Sequence, residues 1–95
     1  MGTTHDLKIL PKYFAAVKSG KKTFEVRKKD RDYRVGDYLD LMEYNEALGC
    51  ITGDGIRVQV VYIMDEPAYC KDGYVILGFR VIGSFIAIPT KLCWW

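Results

Sequence analysis

The chain has 95 residues, of which 49% are hydrophobic and 27% are charged, and its formal net charge is +2. A chain of this size buries one hydrophobic core, so we predict a single domain over residues 1–95. No stretch approaches the run of about 20 apolar residues that a membrane span needs, and the polar residues 1–6 do not resemble a signal peptide. These features predict a cytoplasmic protein with no membrane partner.

The cysteines and the histidine argue against a metal site or a covalent catalyst. Cys50, Cys70 and Cys93 form neither a CxxC pair nor the even set of a disulfide framework. We therefore expect reduced thiols, no metal and no cofactor. The single histidine, His5, lies in no catalytic motif, and we expect it at a strand end or on the surface.

Charge is distributed unevenly along the chain. Residues 8–34 include ten basic and three acidic side chains, whereas the rest has four basic and nine acidic ones. A basic region beside an acidic one is typical of a protein that meets a phosphate on one face. Solubility alone explains the same pattern, so charge leaves binding and a solvated surface equally open.

In chain order, the sequence first predicts a strand and a helix. Residues 5–10 (HDLKIL) alternate apolar and polar side chains, as a half-buried strand does. Pro11 suits the first turn of a helix, and Gly20 suits its end.

Residues 23–27 (TFEVR) alternate again and predict a second strand. We expect Phe24 and Val26 in the core. The opposite face then presents Thr23, Glu25 and Arg27.

The remaining pattern predicts several short strands separated by turns. Turns are expected at residues 34–37 (RVGD) and 50–55 (CITGDG), and strands at residues 38–44, 56–64 and 74–82. One early helix followed by strands predicts a mainly β, α+β fold, a small barrel with the helix packed beside it. The apolar extension 83–95 is expected to cover the barrel as a further strand or to form a homodimer contact.

The face of Thr23, Glu25 and Arg27 has three open interpretations. A carboxylate flanked by cations can accept hydrogen bonds from base amines while lysine or arginine holds phosphate or carbonyl oxygens. The same groups could act as a catalytic set, with Lys22 and Glu25 as its members. The third interpretation is a same-face ion pair without function.

Further ligand-binding candidates surround this face. Basic residues extend it, and two aromatic side chains could stack on unpaired bases. The candidates are Lys21, Lys22, Lys28, Lys29, Arg31, Tyr74 and Phe79.

Residues 5–82 resemble the small bacterial and phage branch of the ASCH domains, within the PUA-like superfamily of β-barrels. The resemblance centres on the pattern G-x-K-x-x-E-x-R, matched by Gly20, Lys22, Glu25 and Arg27. It implies a barrel of five or six strands, with a cleft beside the helix that binds single-stranded RNA or a nucleotide. Lys22 and Arg27 would contact phosphate or base carbonyls, and Glu25 would accept from a base amine or orient Arg27.

The resemblance also implies two alternatives. A distant ASCH relative is an amidohydrolase that removes the acyl group from N4-acetylcytidine with a lysine, a threonine and a glutamate. Lys22 matches that lysine, Glu25 stands where the threonine would be, and the distant glutamate has no counterpart. The other alternative is a phage-type protein that sequesters a nucleotide without catalysis.

Overall fold

A computed structural model describes residues 2–87, which fold into one short helix and five strands. The elements are β1 (Thr4–Ile9), α1 (Pro11–Lys18), β2 (Phe24–Lys28), β3 (Tyr38–Asn45), β4 (Cys50–Met64) and β5 (Tyr74–Ile86). This confirms the predicted mainly β, α+β fold. Among the described residues, no helix is long and apolar enough to cross a membrane.

The five strands form one curled sheet, a half-barrel, in the order β1-β3-β4-β5-β2. β1 pairs with β3 in parallel, and the other three pairs are antiparallel. β1 and β2 are therefore the two sheet edges. The Arg27 side chain connects them, because its Nη2 donates a 2.5 Å hydrogen bond to the Lys8 carbonyl oxygen.

The concave face of the sheet and one side of α1 enclose the core. Leu39, Leu41, Val58 and Leu77 on the three central strands are fully buried. The core cluster also includes Leu7, Ile9, Phe14, Val17, Ile56, Val60, Val75 and Phe79. Burial of each such side chain stabilises the fold by about 1.5–3 kcal/mol before chain entropy is counted.

The helix begins and ends where the sequence predicts. Pro11 occupies its first turn, and Gly20, with φ +80°, follows its end. Phe14 and Val17, one turn apart, are its buried residues. α1 packs against β3 and so stands beside the end of β1.

The predicted turn at residues 50–55 is wrong, because these residues are the first part of β4. The turn lies at residues 46–49 instead. The glycines that suggested a turn have other uses within the strand. Gly53 adopts φ +111°, and a Cβ at Gly55 would collide with the Phe85 ring packed over it.

The last strand is longer than predicted, since β5 continues to Ile86 through the first residues of the predicted extension 83–95. The predictions for the remaining tail, including a homodimer contact, concern positions outside the described residues 2–87. Cys70 is a buried free thiol, as predicted, but Cys50 is disulfide-bonded, so the prediction of a reduced thiol is wrong for Cys50. Cys93 lies outside the described residues.

A buried polar pair fixes the start of β1 against the turn before β3. His5 and Asp37 are 7% and 3% exposed, and His5 Nε2 lies 2.7 Å from Asp37 Oδ2. The Asp37 carboxylate also accepts hydrogen bonds from the backbone N–H groups of Thr3 and Arg34, each at 3.0 Å. His5 thus lies near the start of β1, as expected for a strand-end histidine, but it is not on the surface, because its partner Asp37, which is distant in sequence, is buried with it.

The Asp37 carboxylate makes stability depend on pH. Burial raises its pKa, but the hydrogen bonds from His5, Arg34 and Thr3 outweigh burial and hold the pKa below its ordinary value of 3.8. A depressed pKa contributes stability above the unfolded-state value, and that stability is lost as pH falls through the folded-state value.

We expect Asp37→Asn to lower the free energy of unfolding at pH 7 by about 2 kcal/mol, because buried hydrogen bonds are lost. The deficit relative to the unsubstituted protein should shrink as pH falls from about 5 to about 2. Urea denaturation at several pH values measures both effects. The exposed Asp72 provides the control, and an Asp72→Asn variant with the same pH profile as Asp37→Asn would contradict the assignment.

Candidate functional site

The alternation of β2 is as predicted, but its orientation is reversed. Glu25 is only 4% exposed, whereas Phe24 and Val26 are 44% and 51% exposed. The expectation that Phe24 and Val26 lie in the core is therefore wrong. The alternation of apolar and polar residues is the same whichever face of the strand points inward, so the inward face was assigned from hydrophobicity alone. In the structure, Glu25 points inward because it has ion-pair partners there.

Two cations bind the buried Glu25 carboxylate, one at each oxygen. Lys22 Nζ pairs with Oε1, and Arg27 Nε donates a 2.9 Å hydrogen bond to Oε2. The side chains of Lys22 and Arg27 are 16% and 23% exposed, against 6% for Glu25. A buried carboxylate requires such partners, because its desolvation otherwise costs several kcal/mol. The three groups together carry one net positive charge.

The triad of Lys22, Glu25 and Arg27 borders a cleft of about 440 Å³, which lies between the end of β1, the start of α1 and β2. Its lining residues are Lys8, Ile9, Leu10, Tyr13, Lys22, Phe24, Glu25, Val26 and Arg27. This volume lies within the range of about 300–1,000 Å³ that is usual for small-molecule sites. The cleft occupies the gap that the unpaired edges of β1 and β2 leave between them.

Two aromatic rings flank the Lys22 ammonium at the cleft. Lys22 Nζ lies 5.5 Å from the centroid of the Tyr13 ring and 5.3 Å from that of Phe24. Both rings are more than two-fifths exposed. The cleft thus combines exposed aromatic surfaces with cations at its border, which suits a flat ring bearing carbonyl or phosphate oxygens.

The structure gathers three of the predicted site residues in this cleft: Lys22, Glu25 and Arg27. Lys28 and Arg31 line a separate, smaller hollow. Lys29 Nζ instead pairs with Asp65 at 3.1 Å on the exposed surface.

Four other predicted residues lie outside both spaces. Lys21 and Thr23 are exposed. Tyr74 contacts Lys71, whose Nζ lies 5.1 Å from the ring centroid. Phe79 is 5% exposed and belongs to the core, so it has no face available for a base.

The sequence interpretation missed the residues that complete the cleft. Lys8, Tyr13 and Phe24 line it, but none was a predicted ligand contact. Tyr13 follows Pro11 by two residues, and a helix start beside a strand end is a usual place for a binding residue. That signal could have found Tyr13, whereas Phe24 required knowledge of which face of β2 points inward.

Metal ligation has no support in the part of the chain that the structure describes. Residues 2–87 contain no group of three His, Cys, Asp or Glu side chains that could hold an ion. The charged side chains that line the cleft are the three cations Lys8, Lys22 and Arg27 and the carboxylate of Glu25.

We expect Glu25→Gln to lower the free energy of unfolding by about 2 kcal/mol, because it leaves Lys22 and Arg27 adjacent without their shared counter-charge. Urea denaturation near pH 7 measures the change. Glu46 is exposed, so Glu46→Gln, the same substitution, should change stability by less than about 0.5 kcal/mol. Equal stability of the two variants would show that the triad is a weak surface ion pair.

Comparisons with known proteins identify the family of this chain. A family model described as "Domain of unknown function (DUF3850)" matches residues 4–79, which include the whole cleft. The chain is also 37% identical over 92 residues to the "Uncharacterized 12.9 kDa protein in GpA 3'region" of Escherichia phage P2. That alignment covers 97% of this chain and 81% of the phage protein. The chain belongs to the DUF3850 family.

Proposed function

We propose that the cleft binds the base of a nucleotide or of single-stranded RNA. The observation that carries this proposal is the triad of Lys22, Glu25 and Arg27, with its buried carboxylate, at a cleft that also bears two exposed aromatic rings. Base recognition needs a stacking surface together with donors for carbonyl oxygens. The cleft supplies both.

The triad defines a role for each member. Both oxygens of Glu25 already accept hydrogen bonds, so its first effect is to hold Lys22 and Arg27 in position. Oε2 is contacted by both Nε and Nη2 of Arg27, whereas Oε1 is contacted by Lys22 and has a second acceptor site that can receive a base amine. Lys22 and Arg27 then present donors to carbonyl or phosphate oxygens of the ligand.

Basic residues around the cleft would attract a polyanion. Lys28, Lys29 and Arg31 all lie on the segment that follows the triad, and Lys29 is partly neutralised by Asp65. Contacts of this kind are screened by salt, so RNA binding through them would weaken steeply as ionic strength rises. Binding of one nucleotide inside the cleft would be less sensitive, because enclosed contacts are screened less.

The resemblance to ASCH and PUA-like domains supports the same proposal. Its motif residues Lys22, Glu25 and Arg27 are the ones that meet at the cleft. The phage protein that this chain resembles has no described activity. Sequestration of a nucleotide without catalysis fits the same cleft and differs only in the size of the ligand.

No specific observation favours amide hydrolysis. Lys22 Nζ is ion-paired with Glu25, and the same carboxylate is held by Arg27. A catalytic lysine would need to act as a base or nucleophile, whereas Lys22 Nζ contacts the Glu25 carboxylate. Turnover of N4-acetylcytidine that disappears in Lys22→Ala would be required to establish this activity.

We expect Tyr13→Ala to weaken binding of a nucleoside or mononucleotide about tenfold or more, because stacking of a base on an aromatic ring contributes about 1–3 kcal/mol. Titration calorimetry with the four common nucleosides, their 5′-monophosphates, N4-acetylcytidine and short single-stranded RNAs measures the effect. Tyr13 is 41% exposed and makes no hydrogen bond to the triad, so the variant should fold.

Tyr69 offers a matched control, since it is 75% exposed and lies outside the cleft. Tyr69→Ala should bind every ligand as the unsubstituted protein does. The proposal fails if no ligand of the panel binds, or if the two tyrosine variants bind equally well.

A further inference from the structure

A second hollow adjoins the cleft at Arg27. It has a volume of about 200 Å³ and is lined by Leu7, Arg27, Lys28, Asp30, Arg31 and Tyr33. Arg27 also lines the cleft, and Leu7 directly precedes the cleft residue Lys8 on β1. The two spaces therefore follow one another along the gap between the sheet edges.

The hollow has a surplus of positive charge. Three cations line it against the single carboxylate of Asp30. Asp30 neutralises little, because its Oδ1 lies 3.8 Å from Arg31 Nε and both side chains are more than two-fifths exposed. An exposed pair of this kind contributes little to stability, so Arg31 can turn to another anion at small cost.

Arg27 keeps hydrogen-bond donors for a ligand. Among residues 2–87, its partners are Glu25 and the Lys8 carbonyl oxygen, which it binds through Nε and Nη2. A guanidinium has five N–H groups, so the two on Nη1 are not used by these contacts. The planar donor array of arginine suits the oxygens of a phosphate.

Tyr33 adds a donor whose position is fixed by the core. Its ring packs against the core cluster and lies 4.8 Å from the His5 ring, which Asp37 holds in turn. Burial raises the pKa of the Tyr33 phenol, and this outweighs the opposite effect of Arg31 and Arg27. The phenol therefore stays protonated near neutral pH and can donate to an anion.

We propose that the ligand is a nucleoside monophosphate whose phosphate occupies this hollow, bound by Arg27, Arg31 and the Tyr33 hydroxyl. Its base would lie in the cleft beside Tyr13. The sizes agree with this division, because about 440 Å³ suits a small molecule whereas about 200 Å³ suits only a small group such as phosphate. This inference rests on the proposed function and specifies its ligand as a mononucleotide.

Titration calorimetry with a nucleoside, its 5′-monophosphate and inorganic phosphate tests the inference. The monophosphate should bind about tenfold or more tightly than the nucleoside, as expected for charge-assisted hydrogen bonds to a phosphate. Arg31→Gln and Tyr33→Phe should each reduce this ratio and leave nucleoside affinity unchanged. Tyr33→Phe removes only a hydroxyl, so it keeps the ring that packs on the core.

Arg34→Gln is the matched control, because Arg34 is an exposed arginine paired with Asp32 outside the hollow. It should leave the ratio of monophosphate affinity to nucleoside affinity unchanged. The inference is overturned if the monophosphate binds no better than the nucleoside, or if Arg34→Gln lowers the ratio as much as Arg31→Gln does. It is also overturned if a short RNA binds more tightly than the monophosphate and its affinity is unaffected by Arg31→Gln.

These outcomes separate the inference from the proposed function. Nucleoside binding that depends on Tyr13, without any gain from a phosphate, retains the proposed function and overturns only the phosphate site. Absence of binding by nucleoside, monophosphate and RNA overturns both. The assignment of a mononucleotide is also overturned if inorganic phosphate binds and an added nucleoside does not increase the affinity of the protein for phosphate.

Discussion

The structure depends on one buried carboxylate. Glu25 is inside the gap between the sheet edges, and its side chain is only 6% exposed. Its desolvation is offset only because Lys22 and Arg27 reach it from both sides, and each keeps some contact with water. The same ion pairs orient Lys22 and Arg27, so they both stabilise the buried Glu25 and set the geometry of the cleft.

The closure of the half-barrel follows from this interaction. β1 and β2 do not pair as strands, and Arg27 connects them by holding Glu25 on one side and the Lys8 carbonyl oxygen on the other. Backbone pairing would place neighbouring strands about 4.8 Å apart and fill the gap. Closure by a long side chain leaves space on either side of it, and the cleft and the hollow are those two spaces.

The sequence predicted the helix and strands well where they are determined by interactions between residues close together in the chain. Alternation located β1 and β2, and Pro11 and Gly20 delimited the helix, because periodicity and backbone preference act within a few residues. The same reasoning failed at Gly53 and Gly55. Gly53 allows a positive φ within the strand, and Gly55 leaves room for the Phe85 ring. Neighbouring residues in the sequence do not indicate either role.

The candidate site was also predicted only in part, because long-range contacts determine which face of β2 points inward. The spacing of Lys22, Glu25 and Arg27 marked them as a group, but hydrophobicity assigned the wrong face of β2 to the interior. An edge strand permits this inversion, because its apolar residues can face solvent when its polar residues have partners inside. Two of those partners come from outside the strand: Lys22 pairs with Glu25, and the carbonyl oxygen of Lys8 accepts a hydrogen bond from Arg27.

Arg27 belongs to the ion-paired triad, connects the two sheet edges, and lines both the cleft and the hollow. A substitution there would change stability together with the proposed binding, and neither effect could be assigned to one cause. Tyr13 and Arg31 differ, because each borders one space and neither holds the sheet edges together. The proposed binding can therefore be tested separately from folding only at the borders of the gap, since Arg27 at its centre is also part of the contacts that hold the sheet edges together.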